Sequence, residues 1–215
     1  MQCKFLLTSR FFILRCCYLI LCSLFLAVNV NASSIKQVGI NELIEQSELV
    51  FEGRVISSDA RWNDTKTLIK TFVTFEVDEV ISGDYQLKAI ELSFVGGRIG
   101  NNNVEAKGLR QPAVGEKGIY FVHSLTQQLV NPLVGWSQGQ FLLKKNELGK
   151  DIVMTDSEHP VIGLRNISVR KSELRLSEGV ANDVMLSSDK SASDSAMSAA
   201  EFKNALKVRM QSLSK

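Results

Sequence analysis

The chain has 215 residues, with 25 lysines and arginines against 23 aspartates and glutamates, and 45% of its residues are hydrophobic. This composition is typical of a globular protein that carries an additional apolar segment. The formal net charge is only +2, and no stretch is rich in lysine and arginine. These features argue against a nucleic-acid-binding surface, so we expect no nucleic acid partner.

Residues 1–32 have the layout of a signal peptide. The segment contains basic residues but no acidic one, and a charge-free apolar run covers 16–28. This run is shorter than the roughly 20 residues that a membrane-spanning helix needs, and small residues precede a predicted cleavage point after Ala32. An uncleaved N-terminal anchor is the alternative, because including 11–14 lengthens the apolar segment.

Cleavage near Ala32 would remove every cysteine, since all four lie in the first 32 residues. The exported form would then form no disulfides and could not use a cysteine nucleophile, a thiolate metal site or a redox motif. An exported chain without cysteine fits a bacterial periplasmic or secreted protein. We therefore expect that localisation, with no stable membrane span after cleavage.

Hydrophobic spacing then predicts the first elements of the exported part. Apolar residues at 40, 43 and 44 have helical spacing and predict a short N-terminal helix. Alternation of apolar and polar residues over 49–55 and 69–77 predicts two adjacent antiparallel strands, joined by the polar loop 57–66. A third strand is predicted over 90–94.

The second half of the chain predicts further short strands. A flexible loop is expected over 96–103, and Ile119–Val122, apolar on both faces, is predicted to be a central strand. Additional short strands are predicted within 129–136, 139–144 and 151–154. Residues 33–186 are thus interpreted as a mainly β domain, a small antiparallel barrel or sandwich of six or seven strands.

The C-terminal region changes in composition. Residues 187–198, rich in serine, alanine and aspartate, are interpreted as a linker. Ser198 and Glu201 have the spacing of a capping box, and an apolar stripe predicts an amphipathic helix over 199–213 within the terminal segment 199–215. This helix either docks on the β domain, which we expect, or meets a partner.

Catalytic and metal-binding patterns are not found in the sequence. His123 and His159 are isolated, no Gly-x-Ser-x-Gly elbow occurs, and the glycine-rich 96–100 lacks the ending of a phosphate-binding loop. The acidic cluster of 76–79 is interpreted as the solvated face of a sheet. We therefore expect no catalytic residue, no metal, no cofactor and no enzymatic activity.

Four residues are the candidates for contact with a partner. Trp62 lies beside Arg61 in the expected polar loop, Arg98 lies in the glycine-rich loop, and Trp136 lies in a Gly-Trp-Ser-Gln-Gly turn. Tryptophan and arginine are enriched at interface hot spots. The alternative is that each tryptophan covers an open end of the barrel.

Four segments in this order resemble an exported bacterial family of unknown function: 47–55 (SELVFEGRV), 77–83 (VDEVISG), 96–97 (GG) and 115–122 (GEKGIYFV). The same order is similar to the OB-like barrel of netrin and tissue-inhibitor-of-metalloproteinase domains. The resemblance covers about 47–143 and implies an OB-like barrel and a role beside secreted matrixin-type proteases. The animal inhibitors use an N-terminal cysteine, which the exported chain would lack, so no site residue is carried over.

We therefore expect an exported, non-catalytic protein-binding module of the cell envelope or secreted fraction. Its partner would be another envelope or secreted protein, with a protease as one candidate. One alternative is a carrier of a small apolar or lipid-like ligand, which predicts a cavity lined by Phe75, Phe94 and Phe121. A carboxylate-based hydrolase is the third, and would need two acidic residues with perturbed pKa values in one cleft.

Overall fold

The computed structural model describes residues 35–105, 109–165, 177, 179–190 and 193–214. They belong to one compact unit, Ser34–Lys215. Helix α1 (Ile40–Gln46) precedes the strands and helix α2 (Ala199–Leu213) follows them. The strands among these residues are β1 (Leu49–Trp62), β2 (Ile69–Ser82), β3 (Ala89–Val95), β4 (Gly97–Ile99), β5 (Asn102–Val104), β6 (Lys117–Val122), β7 (Gln140–Lys145), β8 (Asp151–Thr155), β9 (Val161–Leu164) and β10 (Val184–Leu186).

One antiparallel sheet forms the centre of the fold, in the order β3-β2-β1-β6-β7-β8, and two small hairpins, β4-β5 and β9-β10, accompany it. The predicted mainly β class with one short N-terminal helix and one C-terminal helix is confirmed. Within the described ranges, β3 and β8 do not pair with each other. The six-stranded sheet is therefore open, so the layered, sandwich-like alternative describes it better than a closed barrel does.

The two faces of the sheet are buried by different partners. On the face that we call the helix face, Ile119, Phe121 and Phe141 pack against both helices. On the opposite, inner face, buried side chains form a second cluster: Phe51, Val73, Phe75, Ile90, Leu92, Phe94, Tyr120 and Val122. Because side chains alternate along a strand, the apolar run of β6 supplies both clusters, as predicted for a central strand.

Helix α2 docks on the helix face. Ser198 caps it through a capping box, in which its side chain accepts from the Glu201 N–H while the Glu201 carboxylate accepts from the Ser198 N–H. Phe202 and Leu206 are fully buried in the same cluster as the strands. The predicted helix, its cap and its docking are therefore confirmed.

Two expected loops and one expected strand need correction. The segment expected as a polar loop over 57–66 continues β1 as far as Trp62. The segment expected as a flexible loop over 96–103 belongs mostly to the β4-β5 hairpin, which ends at Val104. Residues 129–136 form no strand, and only an isolated bridge joins Leu133 to Val122. In the first two cases a polar or glycine-rich composition concealed backbone pairing that neighbouring strands impose.

The remaining segments are described only in part. The predicted signal peptide, 1–32, lies outside the described residues. Within 187–198, interpreted as a linker, Ser187 N–H donates to Pro160 O at 3.0 Å and Met197 N–H donates to Val161 O at 2.7 Å. Among the described residues, no helix is both long and apolar enough to cross a membrane.

Candidate partner-binding surface

Strand β1 ends with Arg61 and Trp62, and these two neighbours lie on opposite faces of the sheet. Trp62 pairs with Ile69, and both side chains lie on the inner face, whereas Arg61 pairs with Lys70 on the opposite face. The reason is the alternation of side chains along a strand. The two residues therefore do not form one contact patch.

Local contacts hold the Arg61 side chain on the face of the sheet opposite Trp62. Its Nε donates to Asp59 Oδ2 at 2.7 Å, and its guanidinium lies 4.6 Å from the centre of the Phe72 ring. A second carboxylate, that of Glu91 in β3, lies 3.7 Å away. The hydrogen bond that Arg61 donates to Asp59 raises the pKa of Arg61 above its usual value, so the residue stays charged.

Trp62 is 36% exposed and stands at the start of a tightly hydrogen-bonded loop. Asn63 organises this loop, because its Oδ1 accepts from the Thr67 N–H at 2.8 Å and from the Leu68 N–H at 2.9 Å. Its backbone N–H also donates to Leu68 O at 2.8 Å. These bonds close the loop directly after Trp62, and sequence reasoning missed Asn63.

The β4-β5 hairpin lies on the same inner side as Trp62. A Cβ placed at Gly97 would come within 2.4 Å of Thr71 Oγ1 and 3.2 Å of Ala60 Cβ. Thr71 Oγ1 also donates to Gly96 O at 2.7 Å. The hairpin is thus packed against β1 and β2, and it carries exposed Arg98 to the Trp62 end of the sheet.

Substitution of Gly97 by alanine should displace this hairpin. We expect a loss of about 2 kcal/mol in the free energy of unfolding, from the close approach to Thr71 together with a backbone φ of +133°. Gly100→Ala is the control, because Gly100 also has a positive φ, +57°, but has no neighbour within 4 Å of the added Cβ. Urea unfolding of both variants measures the difference, and equal losses would contradict the packing argument.

Trp136 belongs to another part of the fold. It begins the 3-10 helix Trp136–Gly139, between β6 and β7, and its N–H donates to Leu133 O at 3.1 Å. The neighbouring Gly135 approaches Val38, next to α1. Of the four candidates, the structure therefore brings together Trp62 and the hairpin of Arg98, places Arg61 on the opposite face, and leaves Trp136 in a separate element.

A buried ion network lies on the helix face. Glu52, 5% exposed, receives Lys117 Nζ at 2.7 Å and also Lys203 of α2. Lys203 in turn contacts Glu79 Oε2 at 2.6 Å. Hydrogen bonds from Lys203 and Lys207 lower the pKa of Glu79, so its carboxylate is ionised. Lysines are thus paired with both carboxylates. The acidic cluster of 76–79 is therefore not simply a solvated face, since Glu79 helps to hold α2.

A second polar cluster surrounds Arg110. Its Nη1 donates to Asp156 Oδ1 at 2.7 Å, and its Nη2 donates to the Glu116 carboxylate. Burial raises the pKa of Asp156, against the opposing effect of Arg110. Nearby Tyr120 has its pKa raised by burial, and its Oη, like Gln140 Nε2, has no hydrogen-bond partner among the described residues. Both carboxylates, those of Asp156 and Glu116, are paired with the same arginine, as in an ion cluster that stabilises a fold.

A shallow groove of about 510 Å³ lies beside β7. Three of its four basic side chains are neutralised by carboxylates: Lys117 by Glu52, Lys144 by Glu158 at 2.7 Å, and Lys145 by Asp151 at 3.1 Å. The groove therefore presents little unbalanced charge to an anionic ligand. Within the part of the chain that the structure describes, no group of three or more potential ligand side chains could hold a metal ion.

Comparison of the chain with protein-family models, with curated proteins and with solved structures finds no match. The resemblance to the exported bacterial family and to netrin-like barrels thus stays a prediction based on the sequence.

Proposed function

We propose that the protein is an exported, non-catalytic binding module that contacts another envelope or secreted protein through the Trp62 end of its sheet. The observation that carries this proposal is the position of Trp62. The residue is 36% exposed, yet its backbone is held in a paired strand beside a hydrogen-bonded loop and a packed hairpin. A large, pre-positioned aromatic residue loses little entropy on binding, which is the property of an interface anchor.

The packing of the aromatic core favours this function over that of a carrier. Phe75 and Phe94 are fully buried in the inner-face cluster, whereas Phe121 is fully buried in the cluster under the helices. The three rings therefore lie on opposite sides of one sheet and do not line a shared cavity. Their positions therefore do not support a ligand carrier whose cavity is lined by these three residues.

The arrangement of the carboxylates also favours a binding module over a hydrolase. Asp156 and Glu116 share Arg110, and Glu52 lies between two lysines. A general acid and base need two carboxyl groups with separated pKa values facing a substrate cleft. Here each carboxylate faces a cation of the chain itself.

The export part of the proposal rests on residues 1–32, and the proposed compartment is the bacterial periplasm or secreted fraction. Apolar and basic residues in that segment have the order that a signal peptide requires. The first partner class to test is a secreted protease, which the family resemblance suggests.

The proposal is tested by affinity capture with the full-length chain, tagged at its C-terminus, from envelope and secreted fractions of the source organism. A protein retained by the parent is then purified and its affinity for the parent and for each variant is measured by titration. We expect Trp62→Ala to weaken binding by about 2 kcal/mol, roughly thirtyfold, as for an interface hot spot. Arg98→Ala should also weaken it.

Trp136→Ala is the matched control, because it removes the same side chain from a different element. Circular dichroism must show that every variant retains the fold. Retention of no protein, or equal affinity of the parent and the Trp62→Ala variant for the retained protein, would refute the proposed surface.

A further inference from the structure

Strand β3 forms one edge of the central sheet, and its outward hydrogen-bonding groups can be identified. Gly96 N–H donates to Ile69 O at 2.9 Å, and Val77 N–H donates to Lys88 O at 2.8 Å. Both bonds have the same register as the β2-β3 pairs between them, and on this side of the ladder they involve the even-numbered residues Lys88 and Gly96. Because hydrogen-bonded and non-hydrogen-bonded pairs alternate along an antiparallel ladder, the even-numbered residues of β3 also turn their backbone groups towards β2. The odd-numbered residues, Glu91 and Ser93 among them, turn theirs away from the sheet.

Both ends of this outward edge are already occupied. At one end Val95 N–H donates to Val130 O at 2.9 Å, and at the other Ala89 O accepts from Tyr85 Oη at 2.7 Å. Between these positions, the outward backbone groups of Glu91 and Ser93 have no hydrogen-bond partner among the described residues. The edge thus presents a short ladder of donors and acceptors, and the bond to Val130 shows that its geometry accepts a backbone group.

The opposite edge of the sheet is different. Strand β8 is covered, because Val153 N–H donates to Met197 O at 2.9 Å and Ile152 forms a bridge with Ser198. An uncovered edge strand pairs readily with another chain, and proteins usually cover or block it. Among the residues that the structure describes, β8 is covered and β3 is not, so β3 is the edge that can accept a strand of a partner.

The side chains beside the open edge define the chemistry of the partner. Glu91 is 45% exposed on its side chain, and Arg61 stands 3.7 Å from it while binding Asp59 at 2.7 Å. Glu91 is thus only weakly neutralised within the chain. Opposite charges are favoured between cross-strand neighbours, so a lysine or arginine of an added strand fits this position. Exposed Leu87 and Val130, one near each end, offer apolar contacts.

We propose that the edge of β3 binds an extended segment of the partner protein as an additional strand, with a basic side chain of that segment opposite Glu91. This inference rests on the proposed function and specifies how the partner is recognised. Backbone hydrogen bonds to Glu91 and Ser93 supply the affinity, and the charge of Glu91 supplies the selectivity. Trp62, at the end of β1, contributes a separate contact.

The test uses the full-length protein and two synthetic extended peptides, one alternating threonine with lysine and the other alternating threonine with glutamate. Binding is measured by calorimetric titration, and amide exchange of the protein is followed by NMR. We expect tighter binding of the lysine peptide, with slower exchange at the Glu91 and Ser93 amides. Equal binding of both peptides, or protection confined to other amides, would overturn the inference.

Ser93→Pro removes one outward N–H without removing a bond to β2, and proline is tolerated at such edge positions. We expect this substitution to weaken binding of the lysine peptide at least about tenfold, since a carbonyl of the peptide loses its hydrogen-bond donor. Ser93→Ala keeps the N–H and is the matched control, with unchanged affinity. Glu91→Lys should reverse the preference between the two peptides.

Further outcomes separate this inference from the proposed function. If the partner found by capture binds the folded Ser93→Pro variant as tightly as the parent, the edge is not the site, although the binding module stands. If Ser93→Pro instead abolishes a concentration-dependent dimer in sedimentation, the occupant is a second copy and the inference is wrong. Loss of the captured partner with Ser93→Pro, but not with Ser93→Ala, supports it.

Discussion

Substitution of Phe202 by alanine is expected to lower the free energy of unfolding by about 3–5 kcal/mol. The Phe202 ring is fully buried, and its centre lies 4.8 Å from that of Phe141 in β7. Alanine would leave a cavity between α2 and the sheet, with loss of the aromatic contact in addition to the apolar surface. Urea unfolding followed by circular dichroism measures the effect.

Val208→Ala is the control for this experiment, because Val208 lies on the same helix but is 58% exposed. We expect a change within about 0.5 kcal/mol, as for other surface substitutions. If Phe202→Ala were as mild as Val208→Ala, α2 would contribute little to the stability of the domain. Its docking would then be a loose association.

Helix α2 is the element that the sequence predicts best. Its apolar residues recur at helical spacing, and Ser198 and Glu201 give a local signal for its first turn. Both signals depend only on residues within a few positions of each other, so tertiary structure is not needed to interpret them. The observed helix, Ala199–Leu213, accordingly has the predicted bounds.

The end of β1 shows where local patterns fail. Residues 57–62 are mostly polar and carry only a weak apolar alternation, because this part of the strand is mostly exposed. The strand continues there since β2 supplies hydrogen-bonding partners as far as Ile69. Once Trp62 is placed in a strand and not a loop, its opposition to Arg61 follows from side-chain alternation.

The open edge of β3 could not be predicted from its own sequence. Alternation over 90–94 indicates a strand, but the pattern is the same for an edge strand and for a strand covered on both sides. The sheet order, in which β1 lies between β2 and β6, determines that β3 is at the edge. That order depends on contacts between residues far apart in the chain.

The role of Glu52 was also hidden from the sequence. A single glutamate in an alternating strand is the expected pattern for a solvent-facing residue. Its burial results from the docking of α2, which brings Lys203 over the sheet from 151 residues further along the chain. Residues so distant in the sequence carry no local signal of their pairing.

Substitution of Glu52 by glutamine is expected to destabilise the fold by about 3 kcal/mol, near the lower end of the range for breaking a buried ion pair. Glutamine preserves size but leaves Lys117 and Lys203, whose side chains are only 19% and 18% exposed, without their shared carboxylate. Lys117 keeps Asp78 and Asp151 as acidic partners and Lys203 keeps Glu79, and these more exposed carboxylates compensate in part. Urea unfolding at neutral pH measures the loss.

Two further variants test whether the loss of stability comes from leaving a buried charge unpaired or would follow from breaking any ion pair. Glu158→Gln breaks the exposed pair with Lys144, and we expect an unchanged unfolding midpoint because solvent screens that pair. Adding Lys203→Met to Glu52→Gln removes one of the two cations left without Glu52, so the double variant should be more stable than the sum of the two single losses predicts. Simple additivity would mean that Glu52 and Lys203 do not act as a pair.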